Sequence, residues 1–420
     1  MNESTGHKTT VTSPVESLPP APWPYFAPDE IAAAVRVLES GKVNYWTGNE
    51  GRQFELEFAR FAGCQYAVAV ANGTVALELA LRALGVGPGD EVITASRTFI
   101  ASASCAVTLG ARPVCADVDR DSGNITADSI RAVCTPATKA IVAVHLAGWP
   151  CEMEPILTLA RERGLAVVED CAQAHGAMYK DRPVGSLGDI AAFSFCQDKI
   201  MTTAGEGGMV TTNAYDLWQG MWSYKDHGKN YEKVYGPRRS PGFRWLHDSF
   251  GTNWRLSEVQ SAVGRLALSK LPQWIAMRRR HAAKLTQRFS RMRGLRVPVV
   301  PEYMKHSYYK YYVYLSREEL ARGWDQNRIS QMIAEHGVPC ATGSCSEVYR
   351  ETAFPHHWRS RSPCVIAREL GETSLMFQVH PTLTDAHMDA TCDIVERVML
   401  QATRAQVKAA VAGGAVSARR

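Results

Sequence analysis

Lys199 closes the stretch Phe193-Ser194-Phe195-Cys196-Gln197-Asp198-Lys199, and Gly205-Glu206-Gly207-Gly208 follows it closely. The apolar run Ile190 to Phe195 reads as a buried strand, so the lysine falls just beyond its end. Further upstream a second apolar run, Ala166-Val167-Val168-Glu169, ends in Asp170. An amine and a carboxylate, each at a strand end, suit one chemistry in particular. The amine forms a Schiff base, and the carboxylate keeps a pyridine nitrogen protonated so that the ring can withdraw electrons. Pyridoxal phosphate chemistry needs both. Taken singly, a strand-end lysine is ordinarily a surface group and a strand-end aspartate a turn former.

A third element gives the pair its meaning. Asn72-Gly73-Thr74 lies between the apolar stretch Ala67 to Ala71 and the helical run Val75 to Leu81. A strand, a turn of small residues and a helix N-terminus present free N–H groups and the positive end of the helix dipole to a phosphate. Gly73-Thr74 alone is equally an ordinary N-cap; in the order phosphate cradle, ring acid, lysine, the three form a site.

With these residues on the page, the chain resembles the sugar aminotransferases of the DegT/DnrJ/EryC1/StrS group. The resemblance runs from about Val43 to His380. It is carried by Asn72 to Leu77, Gly87-Pro88-Gly89-Asp90-Glu91-Val92-Ile93, Thr98-Phe99, Glu169 to Gly176, Phe193 to Gly208, and Gly251-Thr252-Asn253-Trp254-Arg255-Leu256. It implies that Lys199 carries pyridoxal 5'-phosphate and moves protons during transfer, with pyridoxamine 5'-phosphate as the intermediate form, and that Asp170 pairs with the pyridinium nitrogen. Gln173 matches the position whose amide approaches the ring's 3-oxygen, and Phe99 the aromatic that stacks on the ring. Gly73, Thr74 and Ser194 match phosphate contacts. Asn253 matches a residue that reaches the phosphate of the neighbouring subunit, so the resemblance implies a homodimer with shared active sites. Gln197-Asp198 departs from the small hydroxyl residue that usually precedes the lysine. The lysine itself separates the chain from relatives that carry histidine there and remove a hydroxyl.

The elements that must position these residues follow from pattern. Segments at Glu91–Thr94, Pro113–Asp117, Ala140–Val144, Ala166–Asp170 and Ile190–Phe195 alternate with helical stretches between about Gly51 and Leu271, which argues a mostly parallel sheet covered on both faces. The resemblance makes the fold α/β, of the aspartate-aminotransferase fold type I, with a seven-stranded, mostly parallel sheet in a large domain and a smaller C-terminal α/β domain. The expected organisation is an N-terminal arm and helix over 1–50 (helix from Pro28 to Glu39), a cofactor-binding domain over 51–271, a small domain over 272–402 and a disordered tail over 403–420. A helix is expected from Val259 to about Phe289 with a break near Pro272, then a strand at Tyr311–Leu315 and a helix over Asp325–His336.

At 420 residues and 45% hydrophobic content the chain can bury a large core. Its net charge of +5 is slight and unconcentrated, so no nucleic-acid partner is expected. No apolar run approaches a membrane span and no signal-peptide core is visible, so the reading is a cytoplasmic protein without a membrane partner. The 11 cysteines are scattered, and Cys340 and Cys345 with His356 and His357 fit no zinc template, so no metal is expected.

The stretch Lys225-Asp226-His227-Gly228-Lys229, with Arg238, Arg239, Arg244 and Trp245, reads either as a solvated loop or as a cationic, aromatic surface for a diphosphate-linked sugar. Arg239, Arg244 and His380 are the substrate candidates, with Tyr309 a weaker one. The expected reaction moves an amino group from glutamate or glutamine to a nucleotide-linked 4-keto-6-deoxyhexose for polysaccharide (O-antigen, lipopolysaccharide) biosynthesis. An aminocyclitol or antibiotic-sugar aminotransferase is the rival enzyme, and a non-catalytic cofactor- or sugar-nucleotide-binding sensor the rival of another class.

Overall fold

The structure is a computed structural model and describes residues 18–237, 242–359 and 363–403. Residues 1–17 of the expected N-terminal arm, Arg239 and all but the first residue of the expected tail lie outside these residues.

Seven strands form the main sheet: β1 (Tyr66–Val70), β2 (Glu91–Ala95), β3 (Arg112–Ala116), β4 (Thr138–Val144), β5 (Ala166–Asp170), β6 (Ile190–Ser194) and β7 (Gly208–Thr212), in the order β1-β7-β6-β5-β4-β2-β3. Neighbours from β3 to β6 pair in parallel, and β7 alone runs opposite to both β6 and β1. The central strands are buried along almost their whole length, as continuous apolar runs between two helical layers should be. Helix Gly73–Ala83 packs on β6 and β7. Because β6 and β7 are antiparallel neighbours ending at the pair Ser194–Gly208, the segment from Phe195 to Gly207 must loop back at the carboxyl end of the sheet. That loop holds Lys199. Asp170 ends β5, in register with Ala192 of β6, so it reaches the same edge. Open α/β sheets place their ligands at this edge.

A second, antiparallel sheet of four strands (Leu295–Arg296, Tyr311–Leu315, Ser374–Phe377, Cys340–Ala341) is packed with helices Gln326–Glu335 and Asp385–Thr403 around its own hydrophobic core. The two cores share one helix, Glu258–Phe289, capped by Ser257 at Gln260. Its Leu268, Leu271 and Ile275 belong to the larger core, and its Ala282, Leu285 and Phe289 to the smaller. The expected break at Pro272 is absent: the helix runs through the proline. An interior proline costs about 3 kcal/mol or more, and burial of the helix on both sides of Pro272 offsets that cost. The boundary expected at 271/272 therefore falls inside a helix. No helix among the described residues is long and apolar enough to cross a membrane.

Candidate active site

A cleft of about 1130 Å3 opens at the carboxyl end of the main sheet, walled on its far side by the small sheet. Gly73, Thr74, Phe99, Asp170, Gln173, Ser194 and Lys199 all line it. The strand–turn–helix and strand-end patterns singled out Gly73, Thr74, Asp170 and Lys199, and the family resemblance implied Phe99, Gln173 and Ser194.

Each is positioned by a local cause. Asn72 caps its helix by accepting from the Val75 N–H at 3.0 Å, which leaves the Gly73 and Thr74 N–H groups without intrahelical acceptors. Gly73 is fixed by close approach: a Cβ there would sit 2.5 Å from the Ser194 Cβ. Asp170 accepts from the Ser102 hydroxyl at 2.7 Å and from the Ala172 N–H at 3.1 Å, and a carboxylate with about four acceptor sites keeps capacity for a further donor. Gln173 spends its carbonyl oxygen on the Ala147 N–H at 2.8 Å, leaving its NH2 group to donate. Phe99 is 65% exposed over the cleft, so it is no core residue.

Lys199 is held from an unexpected direction. The indole N–H of Trp23 donates to the Lys199 carbonyl at 2.9 Å. Trp23 in turn lies against Trp274 and His380, and the buried Arg278 guanidinium sits 5.1 Å from its ring centroid. On the cleft side the Lys199 Nζ is 3.9 Å from an Asp198 carboxylate oxygen and 5.0 Å from the Tyr309 ring centroid. The Tyr309 hydroxyl donates to the other Asp198 oxygen, so Asp198 faces the lysine. Burial, and then the Asp198 charge, push the Tyr309 phenol far above its usual range, so it stays a donor.

These residues fit a phosphorylated pyridine aldehyde. The uncapped N–H groups beside a residue without Cβ admit a phosphate, Asp170 has room for a pyridinium N–H, and Phe99 offers a free face at the same cleft. The possible metal cluster His145, Glu169 and Cys171 is a satisfied hydrogen-bond network. His145 lies 3.0 Å from Glu169, which also accepts from the N–H groups of Gly185, Leu187 and Gly188, and burial raises the Cys171 thiol well above its usual range. All eleven cysteines are unpaired.

Other candidates lie elsewhere. Lys225 and Asp226 are buried: the Lys225 Nζ is 3.7 Å from Glu55 and 3.7 Å from the Tyr45 ring centroid, and Asp226 pairs with Lys229 and Arg255. That half of the basic stretch is an internal charge network, because Glu55 and Asp226 supply counter-charges that a local count of lysines and arginines misses. Arg244 is half-exposed, in a loop with the exposed Phe243 and Trp245, and does not line this chain's cleft. Asn253 is exposed outside the cleft and pairs with Asp226 across an isolated bridge. His380 does not line the cleft either. It accepts or donates at 2.9 Å to Thr382, and burial with nearby Arg278 depresses it to about 3. Sequence reasoning missed Ser102, Lys310, Tyr312, Trp23 and the turn Gly343–Cys345. Trp23 carries no local signal, since its partner is 176 positions away.

The sequence profile of the DegT/DnrJ/EryC1/StrS aminotransferase family matches residues 24–396. GDP-perosamine synthase of Caulobacter vibrioides is 36% identical over 84% of this chain and 92% of its own length. UDP-N-acetyl-3-dehydro-alpha-D-glucosamine 3-aminotransferase of Acidithiobacillus ferrooxidans is 33% identical over 89% and 96%. The crystal structure of an aminotransferase from Psychrobacter cryohalolentis superposes with a TM-score of 0.89 at 52% identity, covering 91% of this chain and all of that one.

Proposed function

The chain belongs to the DegT/DnrJ/EryC1/StrS aminotransferase family, a pyridoxal phosphate-dependent transaminase of fold type I, and from that premise we propose its acceptor, its donor and its residue roles. The acceptor is the keto form of a nucleotide-linked amino sugar used for polysaccharide. The donor is glutamate or glutamine, and the working unit is a cytoplasmic homodimer. The observation that carries this reading is the convergence of Lys199, Asp170, the Gly73-Thr74 cradle and Phe99 on one cleft large enough for a sugar nucleotide. The names of the relatives, a GDP-sugar and a UDP-sugar enzyme, support the acceptor class.

The cofactor supplies an electron sink for the carbanion formed when a C–H bond breaks. The rest falls to the chain. Asp170, buried and braced by Ser102, holds the charge that keeps the pyridine nitrogen protonated. The helix start at Gly73-Thr74 and Ser194 hold the phosphate. Lys199 Nζ would take the proton from the donor carbon and deliver it two atoms away, completing a 1,3-shift, with Asp198 facing the ammonium that forms. Gln173 donates to the ring oxygen, and Arg244, with Asn253, serves the neighbour's cleft.

The test is a pair of half-reactions followed by the cofactor's absorbance. Glutamate or glutamine should convert the enzyme to its pyridoxamine form, and a panel of nucleotide ketosugars should convert it back. Borohydride should fix the cofactor to the peptide containing Lys199, and Lys199→Ala should bind cofactor without transferring an amino group. Turnover of a free cyclitol ketone with no nucleotide ketosugar accepted would move the chain to the aminocyclitol reading. Labelling of a different lysine would overturn the site.

A further inference from the structure

We propose that Lys310 is the residue that receives the carboxylate of the amino donor, an inference that rests on the transaminase reading above. Among the described residues that line the cleft, Lys199 and Lys310 carry the cationic side chains, against the carboxylates of Asp170, Asp198, Glu206 and Glu351. An α-amino acid entering this cleft brings a carboxylate that needs a cation close to the reacting nitrogen. Lys199 is committed to the chemistry, and Arg244, assigned above to the neighbour's cleft, is a candidate for the sugar nucleotide. Lys310 remains for the donor.

Its placement suits the task. The Lys310 Nζ lies 4.7 Å from the centroid of the Tyr309 ring, and the Lys199 Nζ lies 5.0 Å from the same centroid. Both amines therefore lie against the same tyrosine ring and line the same cleft. The donor's nitrogen must come to the place of the Lys199 nitrogen, and its carboxylate is only two bonds further on. Lys310 is half-buried on the strand-leading segment of the small sheet and donates to the Gln378 side chain at 3.1 Å, so one of its three protons is engaged and the head is braced. Burial lowers its pKa, with Arg278 and Lys199 acting in the same direction and Asp198 opposing. A carboxylate arriving beside it supplies the counter-charge that its half-buried setting lacks, and their Coulomb attraction is stronger there than at an exposed lysine. Lys310 touches substrate on this account and holds it in place; it takes no part in proton transfer.

The experiment uses the cofactor-loaded full-length enzyme and the α-methyl analogue of whichever amino acid the wild type accepts, since this probe binds but has no Cα hydrogen to lose. Calorimetric titration should show Lys310→Gln weakening the analogue about tenfold or more, the size expected for one lost charge-assisted hydrogen bond. Lys310→Arg should retain most of the affinity. The glutamine variant can still donate to Gln378, and the single-turnover rate of the preformed pyridoxamine enzyme with the sugar ketone should persist in it, which separates a lost donor contact from a damaged fold. Unchanged affinity in Lys310→Gln overturns the assignment, as does a loss confined to the sugar nucleotide, which would place Lys310 on its phosphates. Failure of the wild type itself to form the pyridoxamine enzyme with any amino acid overturns the transaminase reading, and the assignment with it.

Discussion

Gly73 shows how much a single atom decides in this site. Any side chain there starts with a Cβ that would lie 2.5 Å from the Ser194 Cβ, beside the helix-start N–H groups that we propose hold the phosphate. Gly73→Ala is expected to weaken cofactor binding sharply, and Ser194→Gly in the same chain should restore part of it; cofactor release on dialysis, read at the visible band, checks both. His175 makes a different residue-scale prediction. It is fully buried between Phe193 and Phe195, and burial, with the charges of Lys199 and Arg278, lowers it to about 3 from 6.5. The unfolded chain protonates this imidazole below pH 6.5 while the folded chain does not until about 3, so stability falls as pH drops through that window. From pH 7 to 5 the loss from this group is on the order of 2 kcal/mol, and His175→Phe should remove that part of the slope in urea melts at the two pH values. The chemistry-bearing residues were legible in the sequence because each sits where a short apolar run stops. Lys310 was not, because a lysine inside Tyr308-Tyr309-Lys310-Tyr311 has no local mark of function until the small sheet folds over the cleft.

At the scale of elements, the sequence showed strands and helices well where one period ran unbroken, as at Tyr311–Leu315 and β4 to β6. It failed where long-range packing outweighed a local rule. The Pro272 break is one case. The basic stretch is another: Lys225 and Asp226 look solvated in a linear reading and are buried among Glu55, Tyr45 and Arg255 once helix Glu50–Ala62 packs nearby. The N-terminal arm is likewise held by partners far along the chain. Pro22 and Pro19 are tied by Thr382 and His387, and Trp23 ends the run on the Lys199 carbonyl. Trp23→Phe keeps a ring beside Arg278 and removes only the donor. We expect about 1 kcal/mol of lost stability and a lower kcat, with borohydride still fixing cofactor to Lys199. An unchanged kcat in thermally matched assays would show that the carbonyl needs no restraint.

For the whole molecule, the proposal of shared sites makes Asn253 and Lys199 members of different clefts. Asn253 stands outside the cleft of its own chain, and Phe243, Trp245 and Phe250, a few positions before it in sequence, are exposed. On helix Pro28–Ser40, Ile31, Val35 and Leu38 are also exposed at helical spacing, an apolar stripe of the kind a subunit contact covers. Mixing inactive Lys199→Ala protein with inactive Asn253→Ala protein should restore part of the activity, because one of the two sites in a mixed dimer then has both residues intact. Proven subunit exchange without recovery would place each site within a single chain.

Helix Glu258–Phe289 bears on how this family can be recombined. Its first half is built into the core behind the cofactor site and its second half into the core behind Lys310, with no joint between them. A chimera joined at residue 271, the domain limit expected beside Pro272, would graft two half-helices whose faces pack against different partners. Crossovers before Ser257 or after Ser290 keep the rod with both of its cores, and they are the places where acceptor specificity can be exchanged between relatives while the lysine stays in register.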